Sequence, residues 1–273
     1  MLQTHPGAGR QALGSVADPL ARTASENSGA HPLQLLLRKL ETHALIPNVD
    51  GEALLALPHR IATIEPQGYV VREGDCPNMT GVLLAGFAFR QKLTGQGTRQ
   101  IVALQIPGDP LDFQNLFFDH SDHSVQALTR ARVALIPRVQ VQRLMASRPS
   151  INRAIVTSAL VEASISREWI VNIGRRDARS RLAHMLCEWL VRLEAQGLIE
   201  EYGCELPMTQ EQIADALGLT SVHVNRMLKI LEGEGVLLRD RGRLSFPDRE
   251  KLLELAKFNP RYLHLCPQQT GVI

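Results

Sequence analysis

The stretch that most constrains this chain is Met208 to Leu231, MTQEQIADALGLTSVHVNRMLKIL. Thr209 with Gln212 three residues on has the spacing of a capping box, so the sequence predicts a helix opening at Thr209 and burying Ile213 and Leu217. Gly218 ends it, since glycine takes a left-handed backbone without strain, and Thr220 then caps a second helix after a very short turn. Two helices joined this tightly form a helix-turn-helix. On the second helix Val224, Met227, Leu228 and Leu231 share one stripe, and Val222, Asn225, Arg226 and Lys229 share the opposite one. The first stripe packs, and the second, flanked by Ser221 and His223, is offered outward. An ordinary pair of core helices needs neither the glycine turn nor the Asn-Arg-Lys face.

The rest of the chain is organised around that unit. Its 273 residues, 44% apolar, can bury substantial cores and suggest two domains. A net charge of only +2 means that any nucleic-acid surface must come from local clustering. Cys76, Cys187, Cys204 and Cys266 stand far apart with no CxxC pair, which argues against a zinc knuckle or a disulfide scaffold and fits a reducing cytoplasm. No apolar run has the length of a membrane span, and the amino terminus lacks the order of a signal peptide, so the expectation is a cytoplasmic protein with no membrane partner.

Residues 1–30 mix Gly, Ser, Ala, Thr and Pro without apolar periodicity and are expected to be a disordered tail. Pro32 opens a short amphipathic helix, LQLLLRKL, that gives way at Pro47, and a second helical piece is expected around Glu52 to Leu57. From Ile61 to about Pro137 short apolar runs alternate with glycine turns at Gly74, Gly86, Gly97 and Gly108, a spacing that predicts an antiparallel β-roll or sandwich. These glycines read as turn devices and not as a phosphate loop, because GQGT lies in a hairpin and does not open a helix. Ser150 begins a helix running to about Ile173, roughly 35 Å long. Ile151, Ile155, Ile165 and Trp169 make one seam, and Ala154, Val161 and Ile170 contribute to another, so a homodimer built on this helix is expected. Gly174 to Asp177 breaks it, and Asp177 caps the next helix, which carries Leu182, Leu186, Trp189 and Leu190 inward; the break is a hinge between domains. After the helix-turn-helix, Val236 to Leu238 and Arg243 to Phe246 read as a hairpin with Arg239, Arg241 and Arg243 around its tip, making a winged helix-turn-helix. The resulting division is 1–30 tail, 31–149 roll with its leading helices, 150–176 dimerisation helix and hinge, 177–249 DNA-binding domain, and 250–273 terminal helix and tail.

This order, with the REGD turn at Arg72 to Asp75, the GQGT and PGD turns and the TQEQIADALGLTSVHVNRMLKILEGEGVL block, resembles the Crp/Fnr superfamily of bacterial transcription regulators between Ile61 and Phe246. The resemblance implies an α+β protein with a cyclic-nucleotide-binding-type β-roll and a carboxyl-terminal winged helix-turn-helix. It also implies a homodimer on double-stranded promoter DNA, with recognition helices in major grooves about 34 Å apart, and RNA polymerase as second partner. DNA contacts are implied for Thr209, Thr220, Ser221, Val222, His223, Asn225, Arg226, Lys229, Arg241 and Arg243. The family's Gly-Glu and Arg-Ser pairs, which bind the ribose and the cyclic phosphate, fall on Phe113, Gln114, His123 and Ser124. Only the serine survives, so cyclic AMP is not the expected effector. No cysteine cluster precedes Asp75, so an iron-sulfur cluster is not expected either. Asp119 to His123, DHSDH, could bind a metal or reach a haem but reads better as a polar surface loop, and no metal site is assigned. Cys76 reads as a small hydrophobe before a redox thiol.

Where the family's recognition helix carries a cytosine-reading glutamate, this chain has Val222, whose methyls suit the C5-methyl of thymine. Arg226 keeps the place of the guanine-reading arginine. An enzyme is not expected, since no GxSxG, HExxH or P-loop occurs. The competing class is a ligand- or redox-sensing module without DNA output, and the winged helix-turn-helix argues against it.

Overall fold

The computed structural model describes residues 31–199, 204–240 and 243–265. The expected amino-terminal tail, Arg241, Cys266 and the last residues of the carboxyl-terminal tail lie outside them. Leucines at helical spacing form α1 (Gln34–Glu41), which buries Leu36, Leu37 and Leu40. α2 (Asn48–Leu55) starts earlier than expected. Pro47, with its fixed φ and no N–H to leave unpaired, takes the N-cap position, and Asp50 in the first turn accepts from Arg148 Nη1 at 3.1 Å and from Ser150 Oγ.

The roll follows as β1 (Arg60–Ile64), β2 (Tyr69–Val71), β3 (Met79–Ala85), β4 (Ala88–Leu93), β5 (Arg99–Gln105), β6 (Ser124–Ala127) and β7 (Ala131–Pro137). They pair antiparallel in two sheets, β1-β7-β3 and β2-β6-β4-β5. Gly74, Gly86, Gly97 and Gly108 all have positive φ, as the turns require. At Gly108 close approach adds a second demand: a Cβ there would lie 2.9 Å from the Leu35 carbonyl oxygen.

α3 (Arg138–Ser147), which the sequence reading left unassigned, buries only Val141 and Leu144. α4 (Pro149–Arg175) is the expected long helix, with proline in its first turn. The seam assignment is corrected. Ile151, Ala154, Ile155, Val161 and Trp169 are buried within the chain, and Ile165 packs on the core that holds Trp169. The face left open carries Val156, Leu160, Ala163 and Ile170, at spacings of four, three and seven residues.

Asp177 caps α5 (Ala178–Ala195): its Oδ1 accepts from Arg179 N at 3.1 Å and Ser180 N at 3.0 Å, which holds its carboxyl below the usual range. Leu182, Leu186, Trp189 and Leu190 are buried as expected. The wing is larger than a hairpin. β8 (Cys204–Glu205), β9 (Leu238–Asp240) and β10 (Arg243–Ser245) form a sheet of order β8-β10-β9, while Val236 and Leu237 are fully buried core residues ahead of β9.

One apolar cluster runs from Phe89, Ile101, Leu104 and Ile106 of the roll through α5 to the helix-turn-helix. A polar junction sits beside it. Buried Asp109 meets Lys39 Nζ at 3.0 Å and Arg192 Nη2 at 2.7 Å; burial would lift its carboxyl, and the two cations more than reverse this. After α8 (Arg249–Ala256), the turn Pro260–Leu263 straps across α4 and α5. Tyr262 Oη donates to Glu188 Oε2 at 2.9 Å, and Trp169 Nε1 lies 3.1 Å from both Glu188 oxygens.

Candidate DNA interface and sensor interior

The helix-turn-helix is α6 (Gln210–Leu217) and α7 (Ser221–Gly233). Thr209 Oγ1 accepts from Gln212 N at 3.2 Å, and Gln212 Oε1 from Thr209 N at 2.9 Å, completing the capping box. Gly218 is left-handed, with φ 62° and ψ 42°, and Thr220 Oγ1 accepts from His223 N at 3.2 Å to start α7. Val224, Met227, Leu228 and Leu231 are buried, while Ser221, Val222, Arg226 and Lys229 are exposed and His223 and Asn225 half-buried. Val222 is 80% exposed, so its side chain is not a packing residue within the chain.

Two side-chain contacts on this face were not legible beforehand. Arg226 Nη2 lies 3.2 Å from His223 Nε2, and Gln210 Nε2 at the start of α6 is 3.5 Å from Asn225 Oδ1. Of the wing arginines, Arg239 is held by Glu232 in a two-point pair of 2.7 and 2.6 Å, and Arg243 is exposed on β10. α6 itself rests on the roll: Arg99 Nη2 meets Asp215 Oδ2 at 2.6 Å, and Gln100 Nε2 donates to the Ala216 carbonyl at 3.3 Å.

In the roll, the four residues expected to line an effector pocket do not form an open site together. Phe113 is a core residue on the short 3-10 turn Phe113–Leu116. Ser124 Oγ accepts from Glu73 N at 3.0 Å. Gln114 Nε2 lies 2.9 Å from His123 Nε2, and His123 Nδ1 2.7 Å from Asp122 Oδ1. Burial, then Arg90, lowers the His123 pKa and keeps the ring neutral. Asp112, also buried, accepts from Thr80 Oγ1 at 2.6 Å and Gly81 N at 2.9 Å, and burial lifts its carboxyl. Arg90 bridges the roll to the long helix, with Nη1 2.7 Å and Nη2 3.2 Å from the two Glu162 oxygens. Sequence reasoning missed Arg90; its one signal was an arginine directly after the apolar pair Ala88 and Phe89 within β4.

The DHSDH segment disperses its ligand-type side chains. Asp119 lies 3.5 Å from Arg138, His120 Nδ1 3.0 Å from the exposed Cys76 Sγ, and Asp122 beside His123. Among the described residues no three such groups converge on a metal position. No helix among them is long and apolar enough to cross a membrane.

Residues 180–255 match the family model for the Crp-like helix-turn-helix domain, and residues 62–148 that for the cyclic nucleotide-binding domain. The chain is 31% identical over 220 residues to the nitrogen fixation regulation protein FixK of Bradyrhizobium diazoefficiens, covering 80% of this chain and 91% of that protein. It is 29% identical to the transcriptional activator protein FnrL of Cereibacter sphaeroides, over 68% of this chain and 76% of the relative. The structure of FixK2 from Bradyrhizobium japonicum superposes with a TM-score of 0.66 at 23% identity, covering 73% of this chain and 98% of that one. A CRP/FNR family regulator from Thermus thermophilus superposes with a TM-score of 0.57 at 18% identity, over 73% and 99% of the two chains. With the roll, the long helix and the winged helix-turn-helix all present in that order, the chain belongs to the Crp/Fnr family of DNA-binding transcription regulators.

Proposed function

We propose that the chain works in the cytoplasm as a homodimer on promoter DNA, acting by binding and not by catalysis. α7 enters the major groove with Val222, Asn225 and Arg226 toward base edges. Ser221, His223 and Lys229 flank them. Thr209, Thr220, Arg241 and Arg243 serve the phosphate backbone, where positioning contacts are made. RNA polymerase is the second partner at the promoter. The observation that carries this reading is the outward face of α7, where a bare valine, an amide and a guanidinium stand over a fully packed inner stripe.

Dimerisation uses the open face of α4. Val156, Leu160, Ala163 and Ile170 alternate at four- and three-residue steps when Arg167 is counted between the last two, which is the seam of a two-stranded coiled coil. Cyclic AMP is not the effector. The places of its ribose and phosphate contacts are taken by Gln114 and His123, which bond to each other, with Asp122 on the other ring nitrogen of His123, and the neutral His123 supplies no counter-charge. Selection of bound sequences from a random DNA pool, with the wild type and with Val222→Glu, tests the readout. A shift at one base pair of each half-site is expected; identical preferred sites would show that Val222 reads nothing.

A further inference from the structure

Resting on that reading of α7, we propose that His223 is a positioning residue: it acts through Arg226, holding the guanidinium for its base, and sets how strictly one base pair is read. The two side chains are three residues apart on α7 and therefore neighbours on one face. Arg226 Nη2 is 3.2 Å from His223 Nε2. An arginine can only donate, so in this contact Nε2 accepts, the role it has in the tautomer whose proton is on Nδ1. The histidine is itself placed by the cap, because its backbone N–H donates to Thr220 Oγ1 at 3.2 Å.

The chemistry explains why such a tether matters here. Arg226 is exposed, on a helix face whose neighbour Val222, one turn back, offers it no polar partner. A free arginine would lose its rotamer freedom on meeting DNA, whereas one already tethered loses less. Guanidinium has five N–H donors in a rigid fork. One given to His223 leaves the parallel pair that guanine O6 and N7 require. A second guanidinium orientation, suited to a phosphate and indifferent to sequence, is disfavoured by the same bond.

The test uses full-length protein and fluorescence anisotropy on duplexes carrying the selected site. The base pair in question is the one at which Arg226→Ala relaxes the preference. For wild type, replacing that G·C pair by A·T should weaken binding by about tenfold to a hundredfold. His223→Ala should cut this discrimination by about threefold to tenfold, the worth of immobilising one such side chain, while His223→Gln, whose amide oxygen can accept, should stay within about twofold of wild type. In an Arg226→Ala background, His223→Ala should change nothing further at that pair. Equal losses on both duplexes, or additive losses in the double variant, would show an independent DNA contact by His223 and overturn the proposal. If Arg226→Ala relaxes no pair, the assignment of Arg226 as a base reader fails with it. Matching circular dichroism and melting curves for the variants exclude misfolding as the cause.

Discussion

Replacing Asp109 with asparagine removes a carboxylate that joins α1, the roll and α5. The side chain is 2% exposed and accepts from Lys39 at 3.0 Å, Arg192 at 2.7 Å and the Ile106 backbone N–H at 2.9 Å. Breaking a buried ion pair by deleting one partner costs about 3–5 kcal/mol, because the other charge is left without compensation. Arg192 retains Glu188 at 3.5 Å, and Lys39 can turn toward water, so the low end applies, about 3 kcal/mol. The assay is urea unfolding followed by circular dichroism, where that loss moves the midpoint by about 1 M for a chain of this size. The sign with pH follows from linkage. The cations hold the folded carboxyl below its unfolded value, so the stabilisation is present above about pH 4 and is lost as pH falls through the folded pKa. The gap between wild type and variant should therefore narrow in acid. A loss under about 1 kcal/mol at pH 7, or a gap that widens in acid, would refute the reasoning.

Gly218→Ala forces a Cβ onto a left-handed residue, where it would meet Ile173 and Arg181 only at ordinary contact distance, so a loss of about 1 kcal/mol in thermal unfolding is expected from the backbone alone, and no loss would contradict the helix-ending geometry. Leu160→Lys with Ile170→Lys should leave a folded monomer in sedimentation velocity, whereas Ile155→Asp should unfold the chain; a double variant that stays dimeric would move the seam elsewhere. His184 is 1% exposed, and burial, then Arg176, lowers its pKa to about 3. It therefore stays neutral although its Nε2 is 3.3 Å from Glu168. The unfolded state takes up the proton first, so stability should fall as pH drops from about 6.5 toward 3, by roughly 2–3 kcal/mol at pH 4.5. His184→Phe should flatten that fall, and an unchanged urea-midpoint profile would exclude His184 as its source.

What could be read from the sequence was local. Thr209, Gly218 and Thr220 announce the helix-turn-helix because each acts on backbone within three residues of itself, and the roll's glycines announce turns for the same reason. Apolar periodicity located α4 but could not choose its covered face. Ile155 and Val156 are adjacent and equally apolar, and only the fold decides that the first is buried and the second open. Val236 and Leu237 looked like strand because a short apolar run reads alike as strand or core plug. The polar junctions were beyond reach of spacing altogether: Asp109 and Arg192 are 83 residues apart, Arg90 and Glu162 are 72. The same holds for the sensor interior, where Gln114 and His123 were placed by resemblance but their bond to each other, and the neutral ring that results, depends on burial and on Arg90.

The central claim, that this chain reads DNA sequence through α7, is tested most directly by measuring affinity for the pool-selected duplex and a scrambled duplex across a range of salt. Binding at least a thousandfold tighter to the selected site is the order expected of a specific regulator. Both affinities should fall steeply and linearly with the logarithm of salt as phosphate contacts release counterions, and the site should hold two inverted half-sites about one helical turn apart. Equal affinity for the two duplexes, or binding indifferent to salt, would contradict the account.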